Sequence, residues 1–120
     1  MRFITKSLHA YLDYPVALGL IIMPFILGIG SINPVALYLS VTTGAAAFLL
    51  TLLTDHQFGL LRVLPYKLHL AVDGAVGLVF VSAPFIFGFT GIEAAYYWVL
   101  GATVLAVVAL HKPDDATVAA

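Results

Sequence analysis

Residues 68–89 read LHLAVDGAVGLVFVSAPFIFGF, and residues 8–29 read LHAYLDYPVALGLIIMPFILGI. Each run is close to the roughly 20 helical residues that cross a bilayer's hydrocarbon core. Each opens on a histidine and an aspartate four residues apart and closes on Pro-Phe-Ile-x-Gly. With an offset of 60, Arg2, Leu8, His9, Asp13, Val16, Leu18, Pro24, Phe25, Ile26 and Gly28 recur as Arg62, Leu68, His69, Asp73, Val76, Leu78, Pro84, Phe85, Ile86 and Gly88. The register persists more weakly beyond them, through Ile32 and Ile92, Thr43 and Thr103, Ala46 and Ala106, and the aromatic pair Tyr38 and Trp98. A fixed spacing of this kind is the mark of a tandem duplication.

Two further apolar stretches, from about Pro34 to Leu53 and from about Ile92 to Leu110, bring the expected spans to four. Asn33 before Pro34 has the form of an N-cap with proline at the first helical position, where a missing N–H costs nothing. Thr90 with Glu93 three residues later has the form of a capping box. The connections 30–33 and 89–91 leave room only for tight helical turns. Because each unit contains two spans, both enter the bilayer in the same direction. The expected fold is therefore an all-α membrane protein, four transmembrane helices arranged as two tandem parallel helical-hairpin repeats. Its divisions are residues 1–54 for the first repeat, 55–67 for a connecting loop, 68–111 for the second repeat and 112–120 for a tail.

Composition agrees. Of 120 residues, 62% are apolar and 9% charged, with a mean hydropathy of +1.09, too little polar surface for a soluble domain of this size. The absence of cysteine excludes disulfides, thiolate metal sites and cysteine nucleophiles. Five basic residues cannot build a surface that tracks phosphates, so nucleic acid is not an expected partner. Arg2 and Lys6 ahead of an apolar run have the form of a signal peptide, but the same start recurs from Arg62, and a span is expected in both places. Arg2, Lys6, Arg62, Lys67 and Lys112 all fall in the first arm, the central loop and the tail, while the turns between spans carry no lysine or arginine. The positive-inside bias then puts both termini in the cytoplasm of a bacterial inner membrane.

At Met23-Pro24-Phe25 and Ala83-Pro84-Phe85, each followed by Ile-x-Gly, with Leu-His-x-x-x-Asp upstream, the chain resembles the SPW-repeat integral membrane proteins. The resemblance covers nearly the whole chain. Phe stands where that family's triplet has Trp, and Met or Ala where it has Ser. It implies a membrane-embedded duplicated fold and no catalytic residues.

The residues with chemistry are few. On a helix, positions 2, 6, 9 and 13 share one stripe, as do 62, 66, 69 and 73, so His9 lies with Asp13 and His69 with Asp73. At about 1.5 Å per residue, Asp13 lies about 16 Å beyond Arg2, at or past the hydrocarbon boundary. A carboxylate there is costly towards lipid and is expected to face the bundle interior. Three readings stay open for His9, Asp13, His69 and Asp73. They form a hydrogen-bond clamp between repeats, a metal or haem site built from imidazoles and carboxylates, or a proton or ion pathway. No cofactor is required by the sequence.

Pro24 and Pro84 each remove a helical hydrogen bond and free a carbonyl four residues back, on Leu20 and Phe80, before the chain turns near Gly28 and Gly88. The resulting kink is expected to pack Phe25 or Phe85 against the following helix. His56 and His111 are expected at helix C-termini, exposed. Tyr38, Tyr96, Tyr97 and Trp98 are expected to form an outer-face aromatic belt and to take part in helix packing. Gly44-Ala45-Ala46-Ala47, with Ala102 and Ala106, offers smooth faces for close helix approach. No serine has a base at motif spacing and no glycine-rich phosphate loop occurs, so no enzymatic activity is expected. Structural or interaction work in a homo-oligomer or with a membrane partner is the leading expectation, with an oligomeric channel or transporter, or a haem- or metal-binding protein, as alternatives.

The orientation is testable in intact cells. A cysteine placed at Ser31 should react with an impermeant thiol reagent, and one placed at Thr117 should be protected. The reverse pattern would overturn the assignment of both termini to the cytoplasm.

Overall fold

The computed structural model describes residues 6–54 and 65–110. They form four helices: α1 (Lys6–Leu27), α2 (Pro34–Leu53), α3 (Tyr66–Phe87) and α4 (Gly91–Ala109). Three of them, α2, α3 and α4, are long and apolar enough to cross a membrane, and α1 contributes a shorter apolar stretch, Tyr11–Leu27. Both α1 and α3 begin before their apolar runs do, at Lys6 and Tyr66, so Lys67, assigned from the sequence to the central loop, lies in the first turn of α3.

Helix α1 packs along α2 and α3 along α4, whereas the two pairs meet only sparsely. Packing within a pair depends on missing side chains. A Cβ on Gly44 of α2 would stand 2.9 Å from the Ala17 carbonyl oxygen of α1. A Cβ on Gly101 of α4 would stand 2.8 Å from the Val81 backbone nitrogen of α3. These glycines let backbones approach where lipid tails, as apolar as leucine, supply no hydrophobic drive for association.

The helix ends follow local chemistry. Asn33 caps α2, its side-chain oxygen accepting from the Val35 amide at 3.1 Å with Pro34 next in the chain. Helix α1 runs through Pro24, a fully buried residue. It stops at Gly28, whose φ of 70° only glycine adopts without strain. The Ile29 amide then donates back to the Pro24 carbonyl at 2.8 Å, a Schellman closure. Helix α3 likewise stops at a left-handed glycine, Gly88, φ 71°.

The expected capping box at the start of α4 does not form. Thr90 makes no side-chain cap bond, and Glu93 reaches across to the turn between α1 and α2. Its Oε2 accepts from the amides of Gly30 at 2.7 Å and Ile32 at 3.2 Å, and its Oε1 from the Asn33 amide at 3.1 Å. Gly30, at φ 101°, allows the bend that aims these amides at one carboxylate. Glu93 is fully buried. Three converging donors outcompete one exposed threonine, because a buried carboxylate is tolerated only when its oxygens are filled. Asn33 adds a bond in the opposite sense, its side-chain amide donating to the Phe87 carbonyl at 2.9 Å.

The carbonyl that Pro24 frees on Leu20 also finds a partner. Ser40 of α2, wholly buried, donates to it at 2.7 Å. With that hydrogen committed, the Ser40 oxygen accepts from the Tyr96 hydroxyl of α4 at 2.6 Å. Tyr97 donates to the Ala36 carbonyl of α2. Of the four aromatic residues expected in a belt, Tyr38 and Trp98 are exposed. Tyr96 and Tyr97 are buried, and with Phe80 and Phe89 they form the aromatic core. Phe85 stays exposed yet meets Trp98 of the following helix at 5.7 Å between ring centroids. Phe25 is exposed.

Glu93→Gln keeps the shape and one acceptor oxygen, and should lower stability by about 1 to 3 kcal/mol. Glu93→Leu strands three amides and should cost more. Melting temperature in nonionic detergent ranks them, and equal values for parent and Glu93→Leu would show that this contact does not hold the pairs together.

Candidate functional site

At the opposite end of the helices from Glu93, the two pairs meet again through side chains. His69 stands in the second turn of α3, with Asp73 one turn later on the same face. Asp13 comes from α1, and Thr54 is the C-cap of α2. The His69 Nε2 lies 3.2 Å from Asp13 Oδ2 and 3.3 Å from Asp73 Oδ2. On the other side of the ring, Nδ1 lies 2.8 Å from Thr54 Oγ1. Thr54 gives its own hydrogen to the Leu50 carbonyl at 2.6 Å. Having one hydrogen only, Thr54 must accept from His69, which fixes an N–H on Nδ1. The tautomer therefore follows from a threonine bonded back to its own helix.

The side chain of His69 is almost wholly buried, those of Asp13 and Asp73 10% and 18% exposed. The carboxylates thus face inward, as their cost towards lipid requires. Small residues deeper on the same faces, Ala17 and Gly77, are buried. Of the four residues singled out from the sequence, the fold brings Asp13, His69 and Asp73 together. The side chain of His9 lies outside the described residues, as do His56 and His111.

Two chemical states suit this geometry. With a hydrogen on Nε2 as well, the ring is a cation held between two carboxylates, a charge-assisted clamp joining α1, α2 and α3. With Nε2 deprotonated, its lone pair and one oxygen from each aspartate, all within 4.8 Å of one another, form a three-ligand set for a divalent ion. The Thr54 contact would then orient the ligating ring from behind. A haem-binding pair of histidines is not formed by the described side chains.

Beyond the cluster, all four helices line a cavity of about 540 Å³ between the pairs. Asp13, His69 and Asp73 border it, and the remaining lining residues are leucine, valine, alanine and threonine. Two of the threonines are bonded back to their own helices, Thr51 to the Ala47 carbonyl at 2.8 Å and Thr103 to the Val99 carbonyl at 2.7 Å.

Sequence reasoning missed Thr54 and the reach of Glu93. Thr54 carries no signal, since its partner in the repeat register is Asp114. Glu93 did carry one, as the sole carboxylate in the second half of the second unit, at a turn without lysine or arginine, where backbone amides are the donors left to it. In comparison with known proteins the chain matches no family model, no curated protein and no solved structure, so the site is interpreted from its own geometry.

The clamp and the metal site differ in what they require of the aspartates. For a clamp, Asp13→Asn and Asp73→Asn, which keep an acceptor oxygen, should melt above the corresponding Leu variants, with losses of about 1 to 3 kcal/mol for stranding a buried partner and no response to divalent ions. For a metal site, Zn²⁺ or Mn²⁺ should raise the parent's melting temperature, and Asn and Leu should abolish that rise equally.

Proposed function

We propose that this chain is a non-catalytic integral membrane protein of a bacterial inner membrane. In this reading it crosses the bilayer four times as two tandem parallel helical-hairpin repeats, with both termini cytoplasmic. Its work is structural or interactive, in a homo-oligomer or with a membrane partner. One observation carries the reading. The side chains with chemical capacity, Glu93, Ser40, Tyr96, Tyr97, Thr54 and His69, are engaged in fastening one helix pair to the other. An enzyme presents such groups to a substrate with an adjacent nucleophile or base. Here the groups hold helices.

The outer surface supports the same reading. Leu18, Ile22, Phe25, Ile26, Leu78, Phe85, Ile86 and Val99 are exposed, a covering suited to lipid tails or to apolar faces of neighbouring spans. The shorter apolar stretch of α1 crosses because tilt and local thinning of the bilayer accommodate a short span at modest cost. The resemblance to SPW-repeat membrane proteins agrees with a duplicated membrane fold and adds no activity. A second reading, conduction through an oligomer, draws on the two aspartates that border the cavity at one end.

Native mass measurement in mild detergent, with crosslinking in membranes, tests the first reading. A defined assembly larger than one chain should appear, and liposomes holding the protein should show no ion or proton flux above protein-free liposomes. A monomer in both experiments would overturn the homo-oligomer, and flux abolished by Asp73→Asn would favour conduction.

A further inference from the structure

Between the fastening at Glu93 and the cluster at His69, the two helix pairs leave a space of about 540 Å³. Its walls run over residues 12–20, 42–51, 69–76 and 100–107, roughly 10 to 14 Å along the helices at about 1.5 Å per residue. The space is therefore a slot that follows the helix direction, with a volume common among pockets between the helices of bundles. We propose that the slot is a lipid site, in which one acyl chain of a phospholipid lies between the helix pairs, held by apolar contact, with its headgroup outside the protein.

The polar groups of the lining ask nothing of a ligand. Asp13, His69 and Asp73 are engaged with one another, His69 with Thr54 as well, and each of the three has a further partner. Thr51 and Thr103 hold their hydrogens on carbonyls of their own helices. Thr42 and Thr43 stand within α2, where the carbonyl four residues back offers the same bond. A charged or strongly polar ligand would give up its hydration here and meet groups already occupied, which disfavours it. A hydrocarbon chain gives up nothing, and it restores the contacts that facing walls of leucine, valine and alanine lose across a void.

The surroundings supply such a chain. This step rests on the membrane reading, in which the helices stand in hydrocarbon, and not on the oligomer. The pairs meet sparsely along their length. The lining residues Val16 and Val72, of α1 and α3, and Thr42, Ala46 and Thr103, of α2 and α4, are exposed, so the slot opens sideways at the depth of the spans. Leu20 and Leu100, which also line it, pack into the aromatic core, and that core closes the deep end. In the proposed orientation the His69 cluster marks the cytoplasmic end. A chain of the cytoplasmic leaflet therefore enters without inverting, its headgroup beyond the cluster.

Native mass measurement tests the site on the full-length protein, reconstituted in nanodiscs of one phospholipid and transferred to mild nonionic detergent. Phosphatidylcholine and phosphatidylglycerol with identical acyl chains are the probes, each in its own preparation. One phospholipid per chain should stay bound, and the two headgroups should be retained equally. Val104→Phe and Ala46→Leu fill the slot from α4 and from α2. Each should keep a melting temperature near the parent's and reduce retention by about tenfold or more. Val99→Phe, on the exposed outer face, should retain lipid as the parent does. A membrane-inserted parent that keeps no lipid would overturn the site alone, whereas a parent recovered in the soluble fraction would overturn the membrane reading beneath it. Retention confined to one headgroup would overturn the acyl-chain site, as would undiminished retention by whichever filling variant folds, or an equal loss in Val99→Phe.

Discussion

The carboxylate of Glu93, closed on by the amides of Gly30, Ile32 and Asn33, is the contact on which the relation of the two helix pairs depends. In a chain that is 62% apolar, lipid solvates side chains as well as a neighbouring helix does, so apolar burial supplies little preference for one arrangement over another. A buried carboxylate has no such indifference. Its oxygens must be filled, and the turn between α1 and α2 offers the donors. The turn in turn depends on Gly28 and Gly30, whose positive φ values orient those amides. Backbone conformation in one pair thus sets the position of α4 in the other.

The same logic recurs at mid-helix. Pro24 removes a hydrogen bond from α1 and leaves the Leu20 carbonyl open. Ser40 fills it, and because its hydrogen is then used, its oxygen can accept from Tyr96. One proline produces a chain of two hydrogen bonds that runs from α1 through α2 to α4. In the second pair the residue in the register of Ser40 is Leu100, and the chain has no counterpart there. Instead Trp98 donates to the Val81 carbonyl, beside the position that Pro84 frees, at 3.2 Å. The two helix pairs therefore differ at these equivalent positions.

The cluster at His69 lies at the far end of the helices from Glu93. With a fastening at each end and sparse contact between, the two pairs stand apart enough to leave the cavity. Fastening and cavity share residues, since Asp13, His69 and Asp73 belong to both.

Much of this was legible in the sequence for a physical reason. Helix length, the Asn33-Pro34 start, the Gly28 and Gly88 stops and the carbonyl freed on Leu20 are consequences of local backbone sterics and hydrogen bonding, which act within a few residues. The inward direction of Asp13 and Asp73 also followed from one residue's cost towards lipid. What the tertiary structure alone decided was partnership. Thr90 and Glu93 satisfy the capping pattern, yet Glu93 chose three amides 60 or more residues away, because the choice depends on which donors converge in space. Tyr96 and Tyr97 match an interfacial belt by composition, and were drawn inward by Ser40 and by the Ala36 carbonyl. Repeat register pairs His69 with His9, but the fold gives its Nε2 to Asp13 and Asp73 and its Nδ1 to Thr54. Spacing along a chain fixes which face a side chain shares; which acceptor it meets is fixed by how the faces close.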